Sequence, residues 1–565
     1  MTPVQRLAHL AATVASRGLP PELRADAARR VLDALGNSLA ATGERPARAV
    51  GDLVAEWGGQ GRATAIGTGT RLPEPSAALL NGTLAHSLDF DDTHLPSVLH
   101  PSASVVPAAL AVAEARGASG ARLLDAVGVG IEITVRLGMA GYDRELGNSV
   151  FFERGQHATA ICGAVGAAAS AAMLSGLDAA GIADAMGIAA SMGSGILEAN
   201  RTGGTVKRIH CGWAAHAAVT AAGLARTGIT GPPTVLEGRF GMLQAFCGDQ
   251  VDLDALTSGL GEHWELPGIF FKPYPCNHFT HAGIDAALRL RSRGLDPAAI
   301  ESVELGAPSP VLRTIAEPRE DKIRPRSGYH AAFSGPYTVA AALLGGGGLG
   351  VFHEDFTDEA AADPARLALA ARVRCVPDAR CDEIFPYQFP AVLRVRTRDG
   401  ALLEERVDAN RGGPGNPSRP RSWRRSSAST PPAASRRPGP TRSPSSPTAS
   451  PAWRTSASSP RCSPDARGAP SGRPRPCRAP GPRRRAGRPR DSRCSRPGPA
   501  PPVRTRARPG RGWRRGRRAR WCPAGGGRRP SARRAPPRRG RGRGARAAVT
   551  TPAASPCSRP GRSAR

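Results

Sequence analysis

The sequence is poor in lysine and in aromatic residues, and its last quarter lacks nearly everything a core needs. Aromatic residues make up 4% of the 565, and of 78 basic residues only Lys207, Lys272 and Lys322 are lysine. From Ser418 to the end, Leu, Ile, Met, Phe, Tyr, Lys, Glu, Gln, His and Asn are all missing. No apolar core can be assembled from the remaining Arg, Pro, Ala, Gly and Ser, so residues 418–565 are expected to form a disordered, low-complexity tail. These are the residues that G- and C-rich codons encode, and the abrupt change near Pro417 reads as a frameshifted continuation of a GC-rich gene. Charge follows the same boundary. The tail holds 41 Arg against 2 Asp, so of the overall +32 the first 417 residues carry only about −7. That excludes a basic nucleic-acid-binding fold. Any affinity of the tail for nucleic acid is expected to be non-specific attraction to phosphate, with no specific nucleic-acid partner.

Also missing is a long, Leu-rich apolar run. The most apolar stretch, His157 to Gly176, is mainly Ala and Gly and reads as a buried helix, so no membrane association is expected. Met1 to Gly18 has no cationic start, strong apolar run or cleavage site, which makes the cytoplasm the expected compartment. Six of the 11 cysteines (Cys162, Cys211, Cys247, Cys276, Cys375 and Cys381) precede the tail, without CxxC pairs, and are expected to be reduced and buried.

What is present is helical periodicity. From Pro21 to about Gly43, Leu23, Ala27, Val31, Leu32, Leu35 and Leu39 recur at three- and four-residue spacing. Similar segments run near residues 74–87, 102–116, 121–137, 157–174, 178–192 and 212–226. After Ile300 the texture changes to apolar–polar alternation, in Ser302–Leu305, Arg372–Val376 and Val392–Thr397, as in half-buried strands, with helices expected near 280–293 and 330–344. The expected fold class is therefore mainly α: a large all-helical domain over 1–268, then a smaller α+β domain over 269–410.

The scarcity of lysine makes each one informative. Arg suffices wherever a charge alone is needed, whereas a compact ammonium with a tunable pKa suits catalytic work. Lys207 follows Gly203-Gly204-Thr205-Val206 before a helix, and Lys272 lies in Phe270-Phe271-Lys272-Pro273-Tyr274-Pro275 at the expected domain boundary. The alternatives are a surface loop charge and a cap on an aromatic patch. A second constellation is His86-Ser87-Leu88-Asp89-Phe90-Asp91-Asp92-Thr93-His94 with His100-Pro101-Ser102, which offers proton donors and acceptors. Its spacing matches no standard zinc or calcium loop, and Cys276, His278 and His281 read as packing and capping residues, so no metal is expected. His157 opens the Ala/Gly-rich helix, either facing a cavity or capping it.

These blocks, with Gln156 to Ser170, Gly203 to Ala218 around Lys207, and Phe271 to Ala286, resemble the MmgE/PrpD family over about residues 3–417. The resemblance implies a large helical domain and an α+β lid with the active site between them, usually in a homodimer. It implies a cofactor-free lyase on a small polycarboxylate, most simply a hydro-lyase of the 2-methylcitrate dehydratase type in propanoate metabolism, with a decarboxylase or isomerase on the same scaffold as the alternative. Matching motif by motif, it implies Asp89, Thr93, His100, His157, Lys207, Lys272 and Tyr337 as catalytic residues. Lysines and protonated imidazoles would bind carboxylates and hold developing negative charge. The family's chain returns from the lid to complete the helical domain through a stretch like Gly412 to Pro417, where the tail begins here. An incomplete helical domain and an inactive scaffold are the rival expectation.

Overall fold

A proline at the first helical position starts each of the first two helices, α1 (Pro3–Arg17) and α2 (Pro21–Ala40), where its fixed φ suits the helix and its missing N–H costs nothing. The computed structural model describes residues 1–202 and 204–417; the tail, with its expected disorder and frameshift origin, lies outside the described residues. There follow α3 (Arg45–Trp57), α4 (Glu74–His86), α5 (Ser102–Arg116), α6 (Gly120–Ala140), α7 (Val150–Glu153), α8 (Ala158–Leu174), α9 (Ala179–Ala190), α10 (Ala199–Thr202), α11 (His210–Arg226) and α12 (Met242–Cys247). Two-residue ladders pair β1 (Ala63–Thr64) with β2 (Arg71–Leu72) and β3 (Tyr142–Asp143) with β4 (Asn148–Ser149).

Every residue of α8 is buried, as expected for a helix that is apolar all round. It forms the centre of this part, with α5, α6, α9 and α11 packed around it. Small side chains set those distances. A β-carbon on Gly82 of α4 would lie 2.7 Å from the Gly212 Cα of α11, so these two helices touch backbone to backbone. One large hydrophobic cluster runs through this region from Val4 to Ile269.

A second cluster begins with Leu95 and Phe270 and continues to Val407. It lies under α13 (His281–Ser292), α14 (Leu312–Ile315), α15 (Arg319–Ile323), α16 (Gly328–Ala331) and α17 (Gly335–Leu344). The four-stranded sheet beside it comprises β5 (Ile300–Ala307), β6 (Val373–Pro377), β7 (Ala391–Thr397) and β8 (Leu402–Val407), in the order β6-β5-β7-β8. β5 and β6 are parallel and the other two pairs antiparallel. The mainly helical fold with a small mixed sheet is the one expected. One element differs. The helix expected over 330–344 is two, because Pro336 has no N–H and Ser334 instead accepts from Tyr337 N at 3.0 Å, capping a new helix.

All six cysteines among the described residues are free, five buried and Cys375 half-buried. No helix among the described residues is long and apolar enough to cross a membrane. The two parts are stitched by main-chain hydrogen bonds between Thr93 and Phe270. The loop after α4 lies at that seam.

Candidate active site

α4 ends at His86, and the loop that follows bends back on itself at Asp89, whose φ of +52° is left-handed. Only glycine adopts that region freely, so something must hold the carboxylate residue there. Two lysines do. The Lys272 ammonium donates to the Asp89 main-chain oxygen at 2.7 Å and to its Oδ2 at 3.2 Å, and the Lys207 ammonium donates to Oδ1 at 3.0 Å. Lys207 lies in the single turn that leads into α11, and its Nζ is also 3.1 Å from His86 Nε2. His86 Nδ1 lies 2.6 Å from Asp91 Oδ2. Since an ammonium can only donate, His86 accepts at Nε2 and gives its own Nδ1 proton to Asp91. A continuous chain thus runs Asp91, His86, Lys207, Asp89, Lys272, entirely buried.

Burial alone would raise the Asp89 pKa, but the Lys207 and Lys272 ammoniums overcome it and hold the carboxyl well below its usual range. Burial would likewise raise Asp91, and the imidazoles of His86 and His100 hold it low. Lys207 has the opposite balance: burial works to lower its pKa, and the Asp89 carboxylate pushes it above the ordinary value.

His100 gives its Nδ1 proton to the Asp92 main-chain oxygen at 2.7 Å, with Thr93 Oγ1 at 3.2 Å, which leaves Nε2 with the free lone pair. Burial drives its pKa down to about 3. His157 stands at the N-cap position of α8 without a side-chain capping bond; its Nδ1 is 3.1 Å from His210 Nδ1, and its Nε2 is buried without a partner among the described residues. Burial, with Lys207 nearby, holds His157 well below the usual imidazole range, and burial holds His210 at about 4. The rings of His86, His100, His157 and His210 form one run of tilted contacts, with neighbouring centroids 5.1–5.6 Å apart. The imidazoles expected to be protonated carboxylate binders are therefore neutral before substrate arrives.

Asp89, Thr93, His100, His157 and Lys207 line one cleft of about 50 Å³. Lys272 stands behind Asp89: its side chain is fully buried and it does not line the cleft, so it reaches a ligand only through Asp89. Tyr337 stands apart. It points into the second core, where its hydroxyl donates to the Asp355 main-chain oxygen at 2.8 Å and meets the Arg366 guanidinium at 3.2 Å. Its side chain fills the core under α17 because the first turn of that helix faces inward.

Two residues at the site, His210 and Tyr329, were not singled out from the sequence, and His278, read there as a packing and capping residue, lines the cleft. His210 closes the run of histidine rings, and His278 is bonded to Asn410. Tyr329 has a buried, unpaired hydroxyl among the described residues, and its ring lies under the Arg208 guanidinium at 3.9 Å. His210 sits three residues after Lys207, a proximity visible in the sequence itself. Asp92 serves the scaffold: it accepts from Ser102 Oγ at 2.6 Å and pairs with buried Arg30, which also donates to the Ile269 main-chain oxygen. Among the described residues, the group that could ligate a metal ion is His86, Asp91 and Cys211, whose ligand atoms lie within 4.8 Å of one another. Cys211 comes from α11, outside both clusters seen in the sequence, and the Lys207 ammonium against His86 opposes a cation there.

Residues 5–254 match the MmgE/PrpD N-terminal domain, and residues 274–424 match the MmgE/PrpD C-terminal domain. Among curated relatives, the cis-aconitate decarboxylase-like protein oryM of Aspergillus oryzae is 27% identical over 420 residues, 70% of this chain and 84% of its own. The cis-aconitate decarboxylase of Homo sapiens is 34% identical over 285 residues, covering 49% and 56%. That of Aspergillus terreus is 31% identical over 244, covering 41% and 49%, so the chain spans about half the length of these two relatives. Helical body, mixed sheet and a buried Lys–His–Asp cleft at their seam thus go with one class of enzyme, a lyase. The chain belongs to the MmgE/PrpD family.

Proposed function

We propose that the chain is a cofactor-free lyase for a small polycarboxylate, and that its site best supports base-initiated loss of water of the 2-methylcitrate dehydratase type. The observation that carries this reading is the tautomer of His100. Its Nδ1 proton is committed to Asp92, and its neutral Nε2 is free to take a proton from carbon. Asp89, Thr93, His157 and Lys207 are the other groups of the cleft, and Lys272 positions Asp89. Abstraction of a proton alpha to a carboxylate puts charge on a centre already flanked by anions, and the Lys207 ammonium stabilises it, by several kcal/mol in a water-poor cleft. The electron pair then forms the double bond as hydroxide leaves the adjacent carbon. The proton now on His100 Nε2 goes to that hydroxide, so water departs and His100 returns to neutral, while neutral His157, through its unpartnered Nε2, hydrogen-bonds the leaving oxygen. The helical and α+β domains of 1–268 and 269–410 supply opposite walls, and a homodimer is part of the proposal.

Decarboxylation is the second reading, favoured by the names of the relatives. The same cation would hold the carbanion left when CO₂ departs, and the carbon would then be protonated. Incubating the full chain separately with 2-methylcitrate and cis-aconitate, and following products by proton NMR, separates the two. Loss of water from 2-methylcitrate supports the first reading, CO₂ release from cis-aconitate the second, and turnover of neither overturns both.

A further inference from the structure

Lys322, the third of the chain's lysines, has no role in the chemistry above. It lines a second chamber of about 660 Å³ that shares the walls Phe152, Leu197, Asn200 and Thr314 with the inner cleft, so the two are neighbours across one partition. Lys322 is 2% exposed, yet among the described residues no carboxylate lies within salt-bridge distance of it. Its ammonium makes one hydrogen bond, to the Phe333 main-chain oxygen at 3.0 Å. Two N–H donors remain. Phe333 in turn lies over the Lys207 ammonium, with 5.4 Å between Nζ and the ring centre. The other cations of the chamber are engaged: Arg313 with Glu153, and Arg154 with the Phe246 main-chain oxygen. The acids Glu153, Glu198 and Glu317 are exposed, so Lys322 is the deepest charge. At the partition Asn200 Oδ1 is buried and unpaired among the described residues. Burial outweighs the opposing charge of Asp321 and pulls the Lys322 pKa down to about 8, as for an ammonium without a paired anion.

We propose that Lys322 forms a carboxylate subsite in the outer chamber that holds the far acid group of a substrate whose reacting end occupies the inner cleft. This rests on the polycarboxylate reading, and it restricts the substrate to acids with a carboxylate on an arm beyond the reacting carbons. The test is equilibrium binding to the full chain, by calorimetry, of two unreactive probes: propane-1,2,3-tricarboxylate and propane-1,2-dicarboxylate, which lacks one terminal acid. Lys322→Met is expected to weaken the triacid at least tenfold and the diacid less than twofold. Equal weakening of both probes, or of neither, overturns the subsite. Should Lys322→Met fail to fold, acylation of Lys322 in the unaltered protein by an amine-specific reagent, read by peptide mass, decides instead: protection by the triacid and not by the diacid supports the subsite, and equal labelling overturns it. Because neither probe reacts, a lack of turnover with every acid would refute the lyase reading and leave this result standing.

Discussion

Lys272 shows how a residue can matter to a reaction that it does not touch. Its ammonium fixes both the backbone and the carboxylate of Asp89 in a conformation that a β-carbon resists. Arginine carries the same charge on a larger, forked head, and no space surrounds the lysine. Lys272→Arg is therefore expected to destabilise the protein by roughly 1–3 kcal/mol through overpacking. By displacing Asp89 it should also lower kcat at least about tenfold, equivalent to about 1.4 kcal/mol of barrier. Thermal melting and steady-state kinetics check the two halves; an unchanged kcat would falsify the positioning role. His100 gives a second expectation. A base held at about 3 is neutral throughout the ordinary range, so kcat/KM, which reports the free enzyme, should show no acid limb centred near pH 6.5. A midpoint there in initial rates would mean that His100 is not the base. Much of this site was legible in the sequence, because scarce lysines and a dense Asp/His block are visible in one dimension. The division of labour was not. Whether Lys272 faces ligand or stands behind Asp89, and whether Tyr337 turns to the cleft or the core, depends on which side of a turn each occupies.

Helices α4 and α11 bring the two halves of the chain of charges together, one through His86 at its end and the other through Lys207 just before its start. Their approach is set by Gly82 and Gly212. A β-carbon at Gly212 would meet the Leu79 main-chain oxygen and Thr83 Oγ1 of α4. Gly212→Ala must therefore push the helices apart and stretch the 3.1 Å contact between Lys207 and His86. The expected result is a loss of roughly 1–3 kcal/mol in stability together with reduced kcat. Gly223→Ala, farther along α11 with nothing within 4 Å of its β-carbon, should lose neither. Equal effects in melting and kinetics for the two variants would contradict the argument. The elements themselves follow closely from periodicity: α2, α4, α5, α8, α11 and strands β5, β6 and β7 lie where apolar spacing puts them. Periodicity cannot register a cap that reopens a helix, so the break at Ser334 was missed. Nor does it distinguish a glycine kept for helix contact from one in a turn.

Taken as a whole, the protein keeps an unusual number of imidazoles uncharged inside it, and this sets how its stability depends on pH. Burial lowers His100 and His281 to about 3 and His210 and His353 to about 4, and it lowers His86, His157 and His278 as well. An unfolded imidazole titrates near 6.5, so below that pH the unfolded chain binds protons that the folded chain refuses. Stability is therefore full above about pH 7 and falls as the solution is acidified from about 6.5 towards the folded values. At about pH 5.5 each such group costs about 1.4 kcal/mol, and the four held at about 3 to 4 together reach the lower end of the roughly 5–15 kcal/mol that holds a typical domain together. Asp89 and Asp91, held low, add the same trend only below about pH 4. Asp33, Asp92 and Glu132 are raised by burial and work the other way, because their protonated folded forms are favoured by acid. They offset part of the loss. Residues 418–565 contain no histidine, glutamate or lysine, so their charge does not change over this window and the effect belongs to residues 1–417. Urea unfolding of the full chain, followed by circular dichroism, should show a midpoint clearly lower at about pH 5.5 than at about pH 7.5. Coincident midpoints would mean that the imidazoles are charged in the folded protein, and with that the neutral base at His100 would be lost as well.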